Sequence, residues 1–336
     1  MDVVIYRLYR VVGVALFAVL TACATQTPVS HRTDAGSVAS TAYAAHPAST
    51  ATLGATGSAP QQVQPDGPTV ARHLTERYTD VSANCGSAQR PSFLCSGVLF
   101  RATVPGPYHS WNPNPSNPKG TVSFSWLRKD AKFRTIYTPR YSNGFIFLPN
   151  VYADDYGFHE TEVVCVYPID AHTDSRSDLG CGPLPNNPSA SATCSKLGIT
   201  TGAAWVAHYR KGNVPEYMCS FYVSIGTANS AVTFSRMGEA MRSLPETFYA
   251  ITPGRSYTNE LLVRAWPQNI HATVPIEAFF YQMGAINGLA NAQADQRDFF
   301  TTSRRWVPVI RMTMPQAASQ DATFQYLPNE QAVARP

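Results

Sequence analysis

Six cysteines fall between residues 85 and 219: Cys85, Cys95, Cys165, Cys181, Cys194 and Cys219. No C-x-x-C spacing occurs among them, which argues against a structural zinc site or thioredoxin-like redox chemistry. An even number of cysteines in an exported chain reads as disulfides, and export is what the N-terminus encodes. Arg7 and Arg10 precede the apolar run Val11–Leu20, which is too short to span a bilayer and has the form of a signal sequence. Six cysteines allow 15 pairings. Short loops close most easily, so Cys85–Cys95, Cys165–Cys181 and Cys194–Cys219 is the expected set.

The apolar run ends in "LTAC", Leu20 to Cys23. This resembles the lipobox of bacterial lipoproteins and implies cleavage of residues 1–22 and lipidation of Cys23, palmitate included. Ala24 in the next position implies outer-membrane sorting by analogy with Gram-negative lipoproteins. From Cys23 to about residue 70 the chain is Ala, Ser, Thr, Gly, Pro and Gln, too poor in large apolar side chains to offset the entropy of ordering. It reads as a disordered tether. The net charge of +4 is spread without a Lys/Arg run, which argues against a nucleic-acid partner.

Residues 71–315 read as one α+β domain, with 316–336 as a loosely attached tail. Helical spacing is seen in "TVARHLTERYTDV", capped at Thr69, and in "TTGAAWVAHYR", "NSAVTFSRMGEAMRSL" and "LANAQADQRDFFTTS". Strand patterns are seen in "SGVLFRATV", "KGTVSFSWL", "GFIFLPNVY", "TEVVCVYPI", "CSFYVSI", "NELLVRAW", "IEAFFYQM" and "WVPVIRMTM". Strands and helices follow one another without regular βαβ alternation. The stretch between Asp170 and Cys194 reads as loop. In the second strand, Val122, Phe124 and Trp126 form one face, and Ser123 and Ser125 the other.

G-x-S-x-G, H-E-x-x-H and phosphate-loop motifs are all lacking. His159 has no second histidine four residues on, and His208 and Arg210 read as exposed structural residues. What remains is an ordered series: Arg101 in "GVLFRAT", Ser123 and Ser125 in "GTVSFSWLR", and Glu260 opening "ELLVRAW". This series resembles the ADP-ribosyltransferase superfamily of the cholera-toxin type, in which an arginine, an S-x-S strand and a glutamate surround NAD. The stretches "CSGVLFRAT", "VSFSWLRKDAKF", "GITTGAAWVAHYR", "PIEAFFY", "AQADQRDFF" and "VPVIRMTMP" are similar to the halovibrin-like secreted proteins, described as NAD glycohydrolases or ADP-ribosyltransferases.

The resemblance implies a fold of mixed sheets with flanking helices. It also implies NAD as substrate rather than cofactor, and a toxin-like hydrolase activity on the nicotinamide–ribose bond. Arg101 would meet a phosphate or ribose oxygen, Ser123 the glutamate or ribose, and Ser125 would brace the strand. Tyr108, Trp111 or Tyr257 would stack on nicotinamide. Glu260 is the preferred catalytic carboxylate because it follows a turn-rich loop and opens a strand, with Glu277 in "VPIEAFFY" as its rival. Arginine-directed transferases carry E-x-E or Q-x-E, whereas Thr258 holds the first position here. That departure favours water over a host-protein acceptor.

Two other classes stay open on the sequence. One is a non-catalytic binding or antigenic lipoprotein displayed at the outer membrane. The other is a glycosidase using two of Glu160, Glu162, Glu246, Glu260 and Glu277 at about 5 to 9 Å.

Overall fold

A computed structural model describes residues 65–103, 121–134, 141–149, 151–154, 157–223, 230–244, 258–264 and 276–336. These all lie within the unit Pro60–Pro336. Cys23, Tyr108, Trp111, Glu246 and Tyr257 lie outside the described residues.

The strands are β1 (Val98–Thr103), β2 (Thr121–Leu127), β3 (Asn143–Phe147), β4 (Val151–Asp154), β5 (Gly157–Glu160), β6 (Val163–Tyr167), β7 (Phe221–Tyr222), β8 (Glu260–Arg264), β9 (Ile276–Gln282), β10 (Val309–Thr313) and β11 (Thr323–Tyr326). Nine of them form one sheet in the order β11-β10-β9-β3-β1-β2-β8-β6-β7, and β4 and β5 pair separately. Only β9 and β10 are parallel within that sheet. They are joined through helix α4 (Gly288–Ser303), the long crossover that parallel neighbours require. With helices α1 (Gly67–Thr79), α2 (Gly202–Tyr209) and α3 (Ser230–Arg242), the class is α+β.

Helix α1 begins earlier than the sequence pattern suggests. Asp66, not Thr69, is the N-cap, accepting from the Thr69 N–H at 2.8 Å, and Pro68 sits in the first turn where no N–H is needed. Helix α2 is capped by Thr201, one of two adjacent threonines that could serve, accepting from the Ala204 N–H at 3.1 Å. No described helix is long and apolar enough to cross a membrane.

Bulky aromatic side chains fill the core. Phe124 lies against Phe145 and Phe147, with ring centroids 5.8 and 5.2 Å apart, and Phe100 meets Phe280 edge-on at 5.3 Å. Two glycines are dictated by close approach. A Cβ on Gly144 would come within 1.9 Å of the Arg101 carbonyl, and one on Gly97, at φ +72°, within 2.2 Å of the Trp126 indole.

The C-terminal segment corrects the expectation of a loose tail. Strand β11 pairs antiparallel with β10. Phe324 packs against Tyr78 of α1, and Glu330 bonds both Arg311 and the Tyr281 hydroxyl. Its polar, proline-containing sequence hid a short edge strand whose order comes from partners distant in sequence.

All three disulfides follow the expected pairing, Cys85–Cys95, Cys165–Cys181 and Cys194–Cys219. The second one spans the loop Asp170–Arg176. His208 and Arg210 are tied to the fold through the carbonyls of Ala190 and Ser243, so His208 is half-buried and Arg210 remains on the surface.

Candidate functional site

Strands β1 and β2 are paired from Val98↔Leu127 to Phe100↔Ser125. Just past that last pair, the Arg101 guanidinium takes over the contact between the strands and donates to the Ser123 carbonyl at 2.7 Å. On the other side of β2, Ser123 lies opposite Leu262 of β8. The side chains of Ser123 and Glu260 therefore share a face of the sheet, two residues apart in register.

The start of β8 is fixed by Asn259. Its side-chain amide accepts from the Trp126 N–H at 2.8 Å and donates to the Trp126 carbonyl at 2.7 Å, much as a paired backbone residue would. Ser125 adds a hydrogen bond from its hydroxyl to the Asn259 carbonyl at 3.2 Å. These contacts hold Asn259 inward on one face and so turn Glu260 to the other. Val122, Phe124 and Trp126 are buried while Ser123 and Ser125 are half-buried, as the alternation predicts.

Glu260 is only 5% exposed. One carboxylate oxygen accepts from the Ala171 N–H at 2.9 Å and the other from the Thr173 hydroxyl at 2.6 Å. The Ser123 hydroxyl bonds to it as well. Burial, helped by the charge of Asp170, pushes the Glu260 carboxyl up to about 7, and these three hydrogen bonds restrain the rise. Burial draws the half-buried Arg101 guanidinium down from its ordinary range, opposed by Asp174, Tyr141 and Glu260. At neutral pH the site holds a carboxylate poised between its two protonation states, close enough to a guanidinium for their charges to interact.

Around Glu260 runs the segment Asp170–Arg176, part of the stretch whose sequence reads as loop. Its first N–H, from Asp170, donates to the Thr258 carbonyl at 2.7 Å, beside the start of β8. Its far end is pinned by Arg176, which is 1% exposed and donates to the carbonyls of Ala171 (2.8 Å), Gly182 (3.1 Å) and Pro215 (2.7 Å). The guanidinium also lies 5.0 Å from the Tyr167 ring centroid. The Cys165–Cys181 disulfide brackets the whole segment. The clue in the sequence was the bracketing cysteines; nothing in the residues between them announced contact with Glu260.

Glu277 is not part of this cluster. It sits on β9, and the strands β3, β1 and β2 separate it from β8, roughly 19 Å by strand spacing. Its partner is Arg77 of α1 at 2.7 Å, with the two side chains 8% and 14% exposed. Glu162 forms an exposed pair with Arg264. Thr258, the residue in the E-x-E position, is buried at 5% exposure. No protein-family model matches this chain, and no curated protein does either.

Proposed function

We propose that the protein cleaves NAD at its nicotinamide–ribose bond, with Glu260, Ser123 and Arg101 as the working residues and water as the acceptor. The observation that carries this reading is the convergence of those three side chains at the junction of β1, β2 and β8. It is supported by their order along the chain, which resembles the ADP-ribosyltransferases and halovibrin-like proteins.

The chemistry suits so small a site. In NAD the leaving nicotinamide is already cationic, so the glycosidic bond breaks with its electron pair going to the ring nitrogen. The ribose passes through an oxocarbenium-like state. Ionised Glu260 would bond the 2′-hydroxyl and stabilise the positive charge developing on the sugar. Water then adds to the anomeric carbon and loses a proton, giving ADP-ribose and nicotinamide. Arg101 would hold a phosphate or ribose oxygen with its planar fork. Ser123 would keep the carboxylate oriented, and Ser125, through Asn259, would keep the strand in place.

Buried Thr258 in place of an acceptor-orienting glutamate supports hydrolysis over transfer to a host protein. In the same reading the lipidated Cys23 anchors the enzyme at the outer membrane. Nicotinamide release from NAD by the oxidised protein, measured beside Glu260→Gln and Glu277→Gln, tests the assignment. Release should fall at least ~10²-fold in Glu260→Gln and persist in Glu277→Gln. A wild-type protein that folds but releases no nicotinamide would favour a displayed binding lipoprotein.

A further inference from the structure

A carboxylate that must bond a sugar hydroxyl needs room beside it, and Glu260 has almost none. Its two oxygens are taken by the Ala171 N–H and the Thr173 hydroxyl, and it is 5% exposed. Both donors come from one short segment. The charge of Asp174, the next residue of that segment, acts on the Arg101 guanidinium together with that of Glu260. So five consecutive residues bring a hydroxyl to the glutamate and an anion to the arginine.

The geometry points to Asp170–Asp174 as an autoinhibitory strap. It fills the Glu260–Arg101 site in place of a ribose hydroxyl and a phosphate, and it is displaced when a pyridine dinucleotide binds. This inference rests on the NAD reading above. The strap is clamped at both ends and weak at its middle. The Asp170 N–H bonds Thr258, and Arg176 with the Cys165–Cys181 disulfide holds the other end. Between them, exposed His172 takes a left-handed backbone conformation (φ 53°, ψ 53°), which residues bearing a Cβ disfavour. Displacement of Ala171 to Asp174 gives up the Arg176–Ala171 bond but leaves the bonds of Arg176 to Gly182 and Pro215, the Asp170–Thr258 bond and the disulfide in place.

The competing role for Thr173 and Ala171 is to position Glu260 throughout catalysis, and it predicts effects of the opposite sign. A strap that must lift reduces apparent affinity by the fraction of molecules in which it is already open, so weakening it tightens binding. The test uses the full chain with its disulfides formed, comparing wild type, Thr173→Ala, Asp174→Asn, the double variant and Thr173→Ser. Binding is titrated with carba-NAD, which keeps the hydroxyls and pyrophosphate but has no glycosidic bond to break, and nicotinamide release from NAD is followed in parallel.

The double variant should bind carba-NAD about tenfold more tightly than wild type, with Thr173→Ser close to wild type. Asp174 is exposed, so Asp174→Asn is the variant least able to disturb folding, and it should tighten binding on its own. Unchanged or weaker binding in Asp174→Asn and the double variant overturns the strap, whatever the activity. Tighter binding with no nicotinamide released by any variant keeps the strap and overturns NAD cleavage.

Discussion

Arg77 and Glu277 form an ion pair at 2.7 Å between helix α1 and strand β9, almost out of reach of solvent. The other two guanidinium nitrogens of Arg77, Nε and Nη2, are buried without a hydrogen-bond partner. Among the described residues, Glu277 is thus the side-chain counterpart of this buried cation. Removing one member of such a pair leaves an uncompensated buried charge. Glu277→Gln should lower stability by about 3 kcal/mol, read from denaturant midpoints, while the folded fraction keeps its rate of nicotinamide release. A loss of rate at unchanged stability would return Glu277 to the active site.

The titration of Glu260 should be visible in stability. Its folded-state value of about 7 lies above the ordinary 4.5, so the native state binds the proton more tightly than the unfolded chain does. That contribution is fully present below about 4.5 and is lost as pH rises through about 7. Glu260→Gln carries no such proton. Urea midpoints between pH 5 and 8 should fall for the wild type relative to Glu260→Gln; parallel curves would contradict the burial and charge environment described for this carboxyl.

The same titration sets the direction of the activity profile. Stabilising an oxocarbenium-like state requires the ionised form, so kcat/KM for NAD should rise with pH and level off above about 7. A profile that instead falls through that range would assign Glu260 the role of an acid, which NAD, with its cationic leaving group, does not require.

Asn259 offers a test of how the strand presents the glutamate. Asn259→Ala strips the Trp126 N–H and carbonyl of the partners that now satisfy them. Leaving two buried backbone groups without those bonds should cost at least about 2 kcal/mol. Thermal unfolding would show it, and nicotinamide release should drop as well because the side chain that fixes the start of β8 is gone.

Truncation at Pro315 examines the C-terminal strand. It removes β11 from the sheet edge and Phe324 from Tyr78, and leaves Arg311 without Glu330. The shortened protein should fail to accumulate in soluble form, whereas a true tail could be cut without effect.

Much of this architecture was written in local patterns. Period-two alternation placed Ser123 and Ser125 opposite Phe124 and Trp126, because successive strand side chains must point to opposite faces. Cysteine spacing sufficed for the three disulfides, since each joins the next cysteine along the chain. Arg101, Ser123 and Glu260 could be named as a series, although nothing local said that they meet.

What only the tertiary structure decided were contacts whose partners lie far apart in sequence. The different surroundings of Glu260 and Glu277 are one, because both are glutamates on apolar strands and the sheet order sets different partners beside them. The C-terminal edge strand is another, its four residues being too few for a pattern and its stability coming from β10 and α1. The loop over Glu260 is the third. A backbone N–H and a threonine hydroxyl carry no periodicity, and they acquire chemical meaning only where the fold brings them to within 3 Å of a buried carboxylate.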